Sequence, residues 1–276
     1  MKPKSEDYVL GTGLDEWARL GLQHRIWADV AVGAWKRAGI GRNSHVMDLG
    51  CGPGHAAMDL TQLVAGEGSI IAVDESDRFL ANLKSQLDSR GIENVFLANS
   101  DAQDLSSLGL KDSSLDAVYC RWVLCWLKEP VKALHGVHRL LKPGGRLVIH
   151  DYFNWKSMAQ APRSSAVEEL VAAAERSFKA RNGNVDIAGD LPAFLSEVGF
   201  EMTHFDVHQR VARGGGCDST LEWILSWWRS YGEKLVELGY LEQERFENAL
   251  RDLNQLESDP NRFFFCPPVI EIIAKK

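Results

Sequence analysis

The chain has 276 residues, 45% of them hydrophobic and 25% charged, with a formal net charge of −7. That length supports a fold with its own core, and the acidic balance excludes the broad basic field that holds nucleic acid. No run approaches the roughly 18 apolar residues of a membrane span, and the opening MKPKSEDYVL lacks the apolar stretch of a signal peptide. Cys51, Cys120, Cys125, Cys217 and Cys266 are odd in number and irregularly spaced. They fit the reduced thiols of a cytoplasmic protein, not a disulfide framework or a zinc site.

The first periodic segment is 15–38, where Trp17, Leu20, Ile26, Trp27, Val30 and Trp35 recur at helical spacing. A strand–helix alternation follows. Strands are expected at 45–49, 69–74, 94–98, 114–120 and 146–152, with helices at 56–65, 77–90 and 130–141 and a Lys142-Pro143-Gly144-Gly145 turn before the last strand. Such alternation builds βαβ units, and so a doubly wound α/β fold with a mostly parallel sheet. The later chain is less regular: helices at 163–180, 191–198, 220–238 and 242–256, and a strand at 200–211. The prolines of the closing FFFCPPVIEIIAKK suit an edge strand or hairpin arm better than a central parallel strand.

The stretch VMDLGCGPG places Gly50, Gly52 and Gly54 directly after the first strand. Bare backbone at a strand end, feeding a helix, lets a ligand approach unpaired N–H groups and a helix dipole, and suits a phosphate or a carboxylate. A dinucleotide fingerprint also passes in the frame Gly52-x-Gly54-x-x-Ala57, with Asp74 at the expected distance, so a nicotinamide-dependent oxidoreductase is one reading. A tight strand–helix connection without a ligand is another.

The combination is more specific than the loop. Asp48 precedes the first glycine by two residues, Asp74 ends the second strand, and Ser100-Asp101-Ala102 follows the third. LDAVYC at 115–120 and RLLKPGGRLV at 139–148 complete the series. Over about a hundred residues the chain resembles the class I S-adenosylmethionine-dependent methyltransferases, in particular the branch called type 11. The resemblance implies a Rossmann-like fold of seven strands with an antiparallel C-terminal strand. It also implies S-adenosylmethionine as cofactor. On that reading the loop with Gly50, Cys51, Gly52 and Gly54 passes beneath the methionine part, and Asp48 orients loop and ammonium. Asp74, with Glu75 beside it, takes the ribose hydroxyls. Asp101 and the Ala102 N–H hold the adenine, and Arg121 offers its carbonyl to the ammonium. Each acid also has a plainer role: Asp48 as a loop capper, Asp101 as a turn capper with Asp104 as rival, Glu75 as the start of a helix.

Methyl transfer needs a nucleophile aligned with an activated methyl and does not demand a fixed catalytic motif. No nucleic-acid methyltransferase signature is present, so the expected acceptor is a small molecule. Candidate bases are His150, Asp151 and Tyr152. Candidate acceptor contacts are Trp122, Trp126, Trp223 and Trp227, the last two on one predicted helix where plain packing is an equal explanation. His135 and His138 are expected to be structural. No metal and no membrane partner is expected. The expected organisation is one methyltransferase domain over 1–276. It has an N-terminal helical lid at 1–40, where Tyr8, Arg19 and Gln23 would close over the cofactor. A cofactor-binding core follows at 41–153, and helical insertions at 154–188 and 213–260 would cap the acceptor. Besides the oxidoreductase, a protein that binds S-adenosylmethionine without turnover is a further reading.

Overall fold

The computed structural model describes residue 11, residues 13–216 and residues 218–276, so expectations touching Tyr8 and Cys217 lie outside the described residues. The chain order is α1 (Leu14–Arg37), β1 (His45–Leu49), α2 (His55–Leu60), β2 (Ser69–Asp74), α3 (Asp77–Ser89), β3 (Val95–Asn99), β4 (Leu115–Arg121), α4 (Pro130–Leu140) and β5 (Leu141–Tyr152). It continues with β6 (Ala159–Ala161), α5 (Ser165–Ala180), α6 (Leu191–Val198), β7 (Glu201–His208), β8 (Val211–Arg213), α7 (Ser219–Glu237), α8 (Gln243–Ser258), β9 (Phe263–Phe265) and β10 (Val269–Lys275). Two compact units result: one of 27–151, 187–207 and 270–276, the other of 152–186, 208–269 and the described residues through 26.

The first unit carries a seven-stranded sheet in the order β3-β2-β1-β4-β5-β10-β7. The β1–β2, β1–β4, β2–β3 and β4–β5 pairs are parallel, with Met47 opposite both Ile71 and Val118. Val46, Met47, Ile70, Ala72, Val118, Val148 and Ile149 are all fully buried. Apolar burial of that kind is what a parallel sheet covered on both faces requires. The helices obey local rules. Ser76 caps α3 by accepting the Phe79 N–H at 3.3 Å, and Phe79, Leu80, Leu83 and Leu87 form its buried stripe. Pro130 begins α4, where its missing N–H costs nothing, and Ala133, Leu134, Val137 and Leu140 face the core.

The second unit packs α5, α7 and α8 together beside a small antiparallel sheet, β6-β9-β8. Ser164 and Asp218 cap α5 and α7 by accepting the N–H groups of Val167 and Thr220. The hydroxyls of Ser177 and Tyr231 meet at 3.0 Å between α5 and α7.

The structure corrects four expectations. β10 is not an edge strand but lies inside the sheet between β5 and β7. It runs antiparallel to β5: His150 near the end of β5 meets Glu271 near the start of β10, while Gly144 and Gly145 at the start of β5 bond Lys276. Pro267 and Pro268 stand ahead of the strand, where they remove no ladder hydrogen bond. Residues 142–145 belong to β5, because the irregular register between Leu115 and Ala117 absorbs the turn and Lys276 pairs with its backbone. The strand expected at 200–211 ends at His208, and Val211 enters the small sheet as β8. Finally, α2 ends at Leu60 rather than near 65; beyond it the Thr61 hydroxyl donates to the Met58 carbonyl at 2.6 Å and the chain continues as turns.

Candidate functional site

The sheet order reverses between β1, whose chain proceeds outward to β2 and β3, and β4, which proceeds to β5. At such a switch point the loops leave in opposite directions and open a crevice at the strand carboxyl ends. Asp48, Asp74, Asp101 and Arg121 lie at or just beyond the carboxyl ends of β1, β2, β3 and β4.

All three loop glycines take positive φ: +67° at Gly50, +54° at Gly52 and +84° at Gly54. Their surroundings differ. A Cβ on Gly50 would lie 2.2 Å from Val123 Cγ2, and one on Gly54 2.4 Å from Leu83 Cδ1, so these two are packed from within the fold. A Cβ on Gly52 would meet nothing within 4 Å among the described residues. Gly52 is the point where the loop turns bare backbone to open space. Its N–H donates to Asp74 Oδ2 at 2.8 Å, while Asp74 Oδ1 accepts the Ser76 N–H at 2.9 Å. Asp74 therefore ties the loop to the end of β2, a function the sequence did not reveal. With α2 only six residues long, acidic groups rather than a helix dipole set the field here.

Asp48 is 3% exposed and its Oδ2 has no hydrogen-bond partner among the described residues. Burial drives its pKa from 3.8 up to about 7; the Arg121 guanidinium opposes the shift, Asp74 adds to it, and the Ala57 N–H opposes it. Burial also raises Asp74, against the N–H groups of Ser76, Gly52 and Glu75. Lost hydration, then Asp74 and Asp101, push Glu75 above its ordinary value. Cys51 is held protonated by burial beside Asp48 and Asp74, which makes it a loop filler and not a nucleophile. Asp101 fills the turn-capping role, its Oδ1 accepting the Gln103 N–H at 2.8 Å, while exposed and open to a further donor. The Arg121 guanidinium sits 5.0 Å over the Trp122 ring. Trp122 itself has φ +54°, a conformation costly for a bulky residue, and its N–H donates to the His150 carbonyl at 2.9 Å.

A buried acid with an unpaired oxygen beside an open glycine is a cradle short of a cation with room for a backbone-hugging group. S-adenosylmethionine fits it: an ammonium and a sulfonium for Asp48, and ribose hydroxyls for Asp74, whose two oxygens keep lone pairs beyond the bonds they make. A pyrophosphate fits poorly, since two carboxylates flank the loop.

The acceptor candidates separate. His150 is 1% exposed, its Nδ1 3.3 Å from the Tyr119 hydroxyl and its Nε2 3.3 Å from Glu271, so it belongs to the sheet interior. Asp151 is fully buried and accepts the Cys125 N–H at 3.2 Å. His138 packs edge-on against Phe200, and Trp126 is half-buried in a short 3-10 turn. In the helical unit, Tyr152, Trp223 and Trp227 do come together, around a small hollow also lined by Gln23, Trp155 and Met158. Trp155 escaped the sequence reading; its signal was an aromatic residue three positions beyond the end of the β5 strand. Arg19 and Gln23, expected in a lid, are bonded within this unit, Arg19 Nη1 and Trp223 Nε1 both donating to Gln23 Oε1.

Residues 40–215 match the methyltransferase-domain family. The chain belongs to the methyltransferase-domain family. With it comes S-adenosylmethionine as the cofactor, and the oxidoreductase reading falls. This methyltransferase-domain chain is 33% identical over 139 residues to 2-phytyl-1,4-naphtoquinone methyltransferase of Nostoc punctiforme, covering 50% of the chain and 58% of that protein. It is 34% identical over 126 residues to the arsenite methyltransferase of Aquipseudomonas alcaligenes, covering 44% and 36%. The chain thus spans between about a third and three fifths of these relatives. Among solved structures, a Bacillus halodurans protein ascribed to the methyltransferases superposes with TM-score 0.60 at 19% identity over 89% of this chain and 98% of that one. The [4+2]-cyclase SpnF superposes with TM-score 0.54 at 18% identity over 90% and 80%. These likenesses show the fold; a cyclase among them means that the fold alone does not name a reaction.

Proposed function

We propose that this chain moves the methyl group of S-adenosylmethionine to a small-molecule acceptor and releases S-adenosylhomocysteine, in the cytoplasm. The observation that carries the reading is Asp48, a buried carboxyl group whose Oδ2 has no partner among the described residues, in the strand that leads into the open loop at Gly52. Bound there, the cofactor supplies an electrophilic methyl on a positively charged sulfur. The residues do the rest. Asp48 orients the ammonium together with the Arg121 carbonyl, Asp74 takes the ribose with Glu75 alongside, and Asp101 with the Ala102 N–H holds the adenine. Trp122 and Trp126 follow β4, where an acceptor would approach the crevice. The insertions at 154–188 and 213–260 supply an acceptor pocket around Trp223 and Trp227, and Tyr152 is the candidate to hold or accept a proton there. Acidic charge overall and two small-molecule methyltransferases among the relatives support a small acceptor.

Calorimetric titration with S-adenosylhomocysteine, NAD and NADP tests this. Binding of the first alone, lost in Asp74→Ala, is the expected result. Binding of a nicotinamide cofactor, or of none of the three, overturns it.

A further inference from the structure

We propose that the chain forms a two-fold dimer through the open edge of β7, a second copy adding its own β7 antiparallel so that the two sheets run on as one. The inference is independent of the methyltransferase reading.

β7 is the last strand of the seven-stranded sheet, paired with β10 on one side only. None of its eight residues is buried. Met202, Phe205 and Val207 are 44%, 50% and 52% exposed, and alternation along the strand puts them on both of its faces. A sheet edge is ordinarily blunted by a short strand, a proline, a lysine or a bulge. The run EMTHFDVH contains neither proline nor lysine, and its eight residues exceed the five of β3 at the opposite edge. The Val207 N–H donates to Asp206 Oδ1 at 2.8 Å, so a neighbouring carboxylate stands where a further strand would offer a carbonyl. N–H direction alternates residue by residue, so Thr203 and Phe205 turn the same way as Val207.

The strand is complementary to itself. Two copies join edge to edge about a two-fold axis perpendicular to the sheet. That axis passes through a residue, since a centre between residues would set side chains of opposite faces across from one another. Centred on His204, the pairing puts Met202 against Asp206 and Glu201 against Val207. Centred on Asp206, it makes two carboxylates meet, and centred on Thr203 it puts Glu201 against Phe205. Centred on Phe205, the middle of the strand matches throughout. Phe205 meets its own copy, Thr203 lies against Val207, and His204 lies against Asp206, the last two pairs each occurring twice. His204 Nε2 is 3.3 Å from the buried Glu271 Oε1, which leaves Nδ1 for the incoming carboxylate. Asp206 is released to reach it, because the Val207 N–H then bonds a carbonyl of the second copy. This self-complementarity selects a second copy over a different protein as the occupant.

The test is sedimentation velocity on the full chain from about 1 to about 100 µM, a range suited to a single-strand interface. The mass is expected to rise from one chain towards two. Phe205→Lys should hold it at one chain throughout, with melting temperature and S-adenosylhomocysteine affinity unchanged. Register is read by cross-linking under mild oxidation in a Cys217→Ser background, the thiols of Cys51, Cys120, Cys125 and Cys266 being buried. Phe205→Cys brings two thiols together across the axis, with Cα atoms about 5.5 Å apart, within disulfide reach. It should yield a covalent dimer. Thr203→Cys, offset from its copy by about 13 Å along the strand, should not, whereas Thr203→Cys with Val207→Cys should. A mass of one chain across the whole range, a dimer that persists in Phe205→Lys, or cross-linking as efficient in Thr203→Cys as in Phe205→Cys overturns the proposal.

Discussion

The Asp74 carboxylate at the end of β2 accepts the Gly52 N–H at 2.8 Å, so the acid expected to hold the cofactor's ribose also holds the loop beneath its methionine part. One substitution therefore removes two things. Asp74→Ala is expected to weaken S-adenosylhomocysteine binding by at least about 100-fold, since charge-assisted bonds contribute roughly 1.5–3 kcal/mol each, and to lower the melting temperature by several degrees. Asp101→Ala, exposed and bonded only locally through Gln103, should weaken binding by about tenfold with no change in melting. Calorimetry and thermal melts on the two variants separate these outcomes; equal effects on stability would remove the loop-tying role.

Asp48 makes binding pH-dependent. The folded chain keeps its proton up to about pH 7, whereas an ordinary aspartate releases it near 3.8. The sign follows: this group's contribution to stability is fully present below pH 3.8 and is lost as the pH rises towards 7. A cationic ligand favours the ionised form, so binding expels the proton. Affinity for S-adenosylhomocysteine, whose ammonium would face this acid on the proposed reading, should rise with pH until about 7 and then level. Calorimetry at pH 6 in buffers of different ionisation enthalpy should show net proton release, absent in Asp48→Asn.

The loop glycines should fail in different ways. Gly50→Ala drives a methyl to within 2.2 Å of Val123 at a positive φ, and a loss of about 3 kcal/mol of stability is expected from strain and overpacking together. Gly52→Ala meets only the backbone strain, about 1 kcal/mol, because its Cβ points into open space. That space is the proposed cofactor site, so Gly52→Ala should melt near the parent yet bind S-adenosylhomocysteine at least about tenfold more weakly. Denaturant melts and titrations read the two effects independently.

Glu271 is buried on β10 and takes Arg37 of α1 through both oxygens, at 2.7 and 2.8 Å to Nη2, with His150 Nε2 and His204 Nε2 each 3.3 Å away. Glu271→Leu should cost about 2–3 kcal/mol, below the full value for a broken buried pair because Arg37 stays partly hydrated. His150→Asn should likewise lower stability while leaving kcat within about twofold of the parent. A large fall in kcat for His150→Asn, with melting unchanged, would return His150 to the list of catalytic bases.

The β/α core was legible because each of its signals is local. Apolar runs such as SIIAVD, an N-capping serine before α3 and a proline opening α4 each declare an element without reference to distant chain. The placement of Asp48, Asp74 and Asp101 at strand ends was legible for the same reason. Long-range pairing was not. Nothing near residue 270 says that its strand inserts between β5 and β7, and nothing near residue 23 says that its amide meets a tryptophan 200 positions away. Nor can the sequence show that Glu271 lies across from His150, a candidate base at a strand end. The turn at 142–145 misled in the same manner, since its partner is Lys276.

The interior position of β10 also bears on how the chain is made. β10 follows every other strand in the sequence, yet it joins two that come before it. On a ribosome, β5 emerges long before its neighbour exists; at 5–20 residues per second the interval is on the order of ten seconds. Through that interval the nascent sheet offers an unpaired row of N–H and C=O groups, the form of surface that templates aggregation. Closure of the sheet is thus a late event relative to the synthesis of its first five strands, and the yield of folded protein in a cell depends on what shields that gap until β10 arrives.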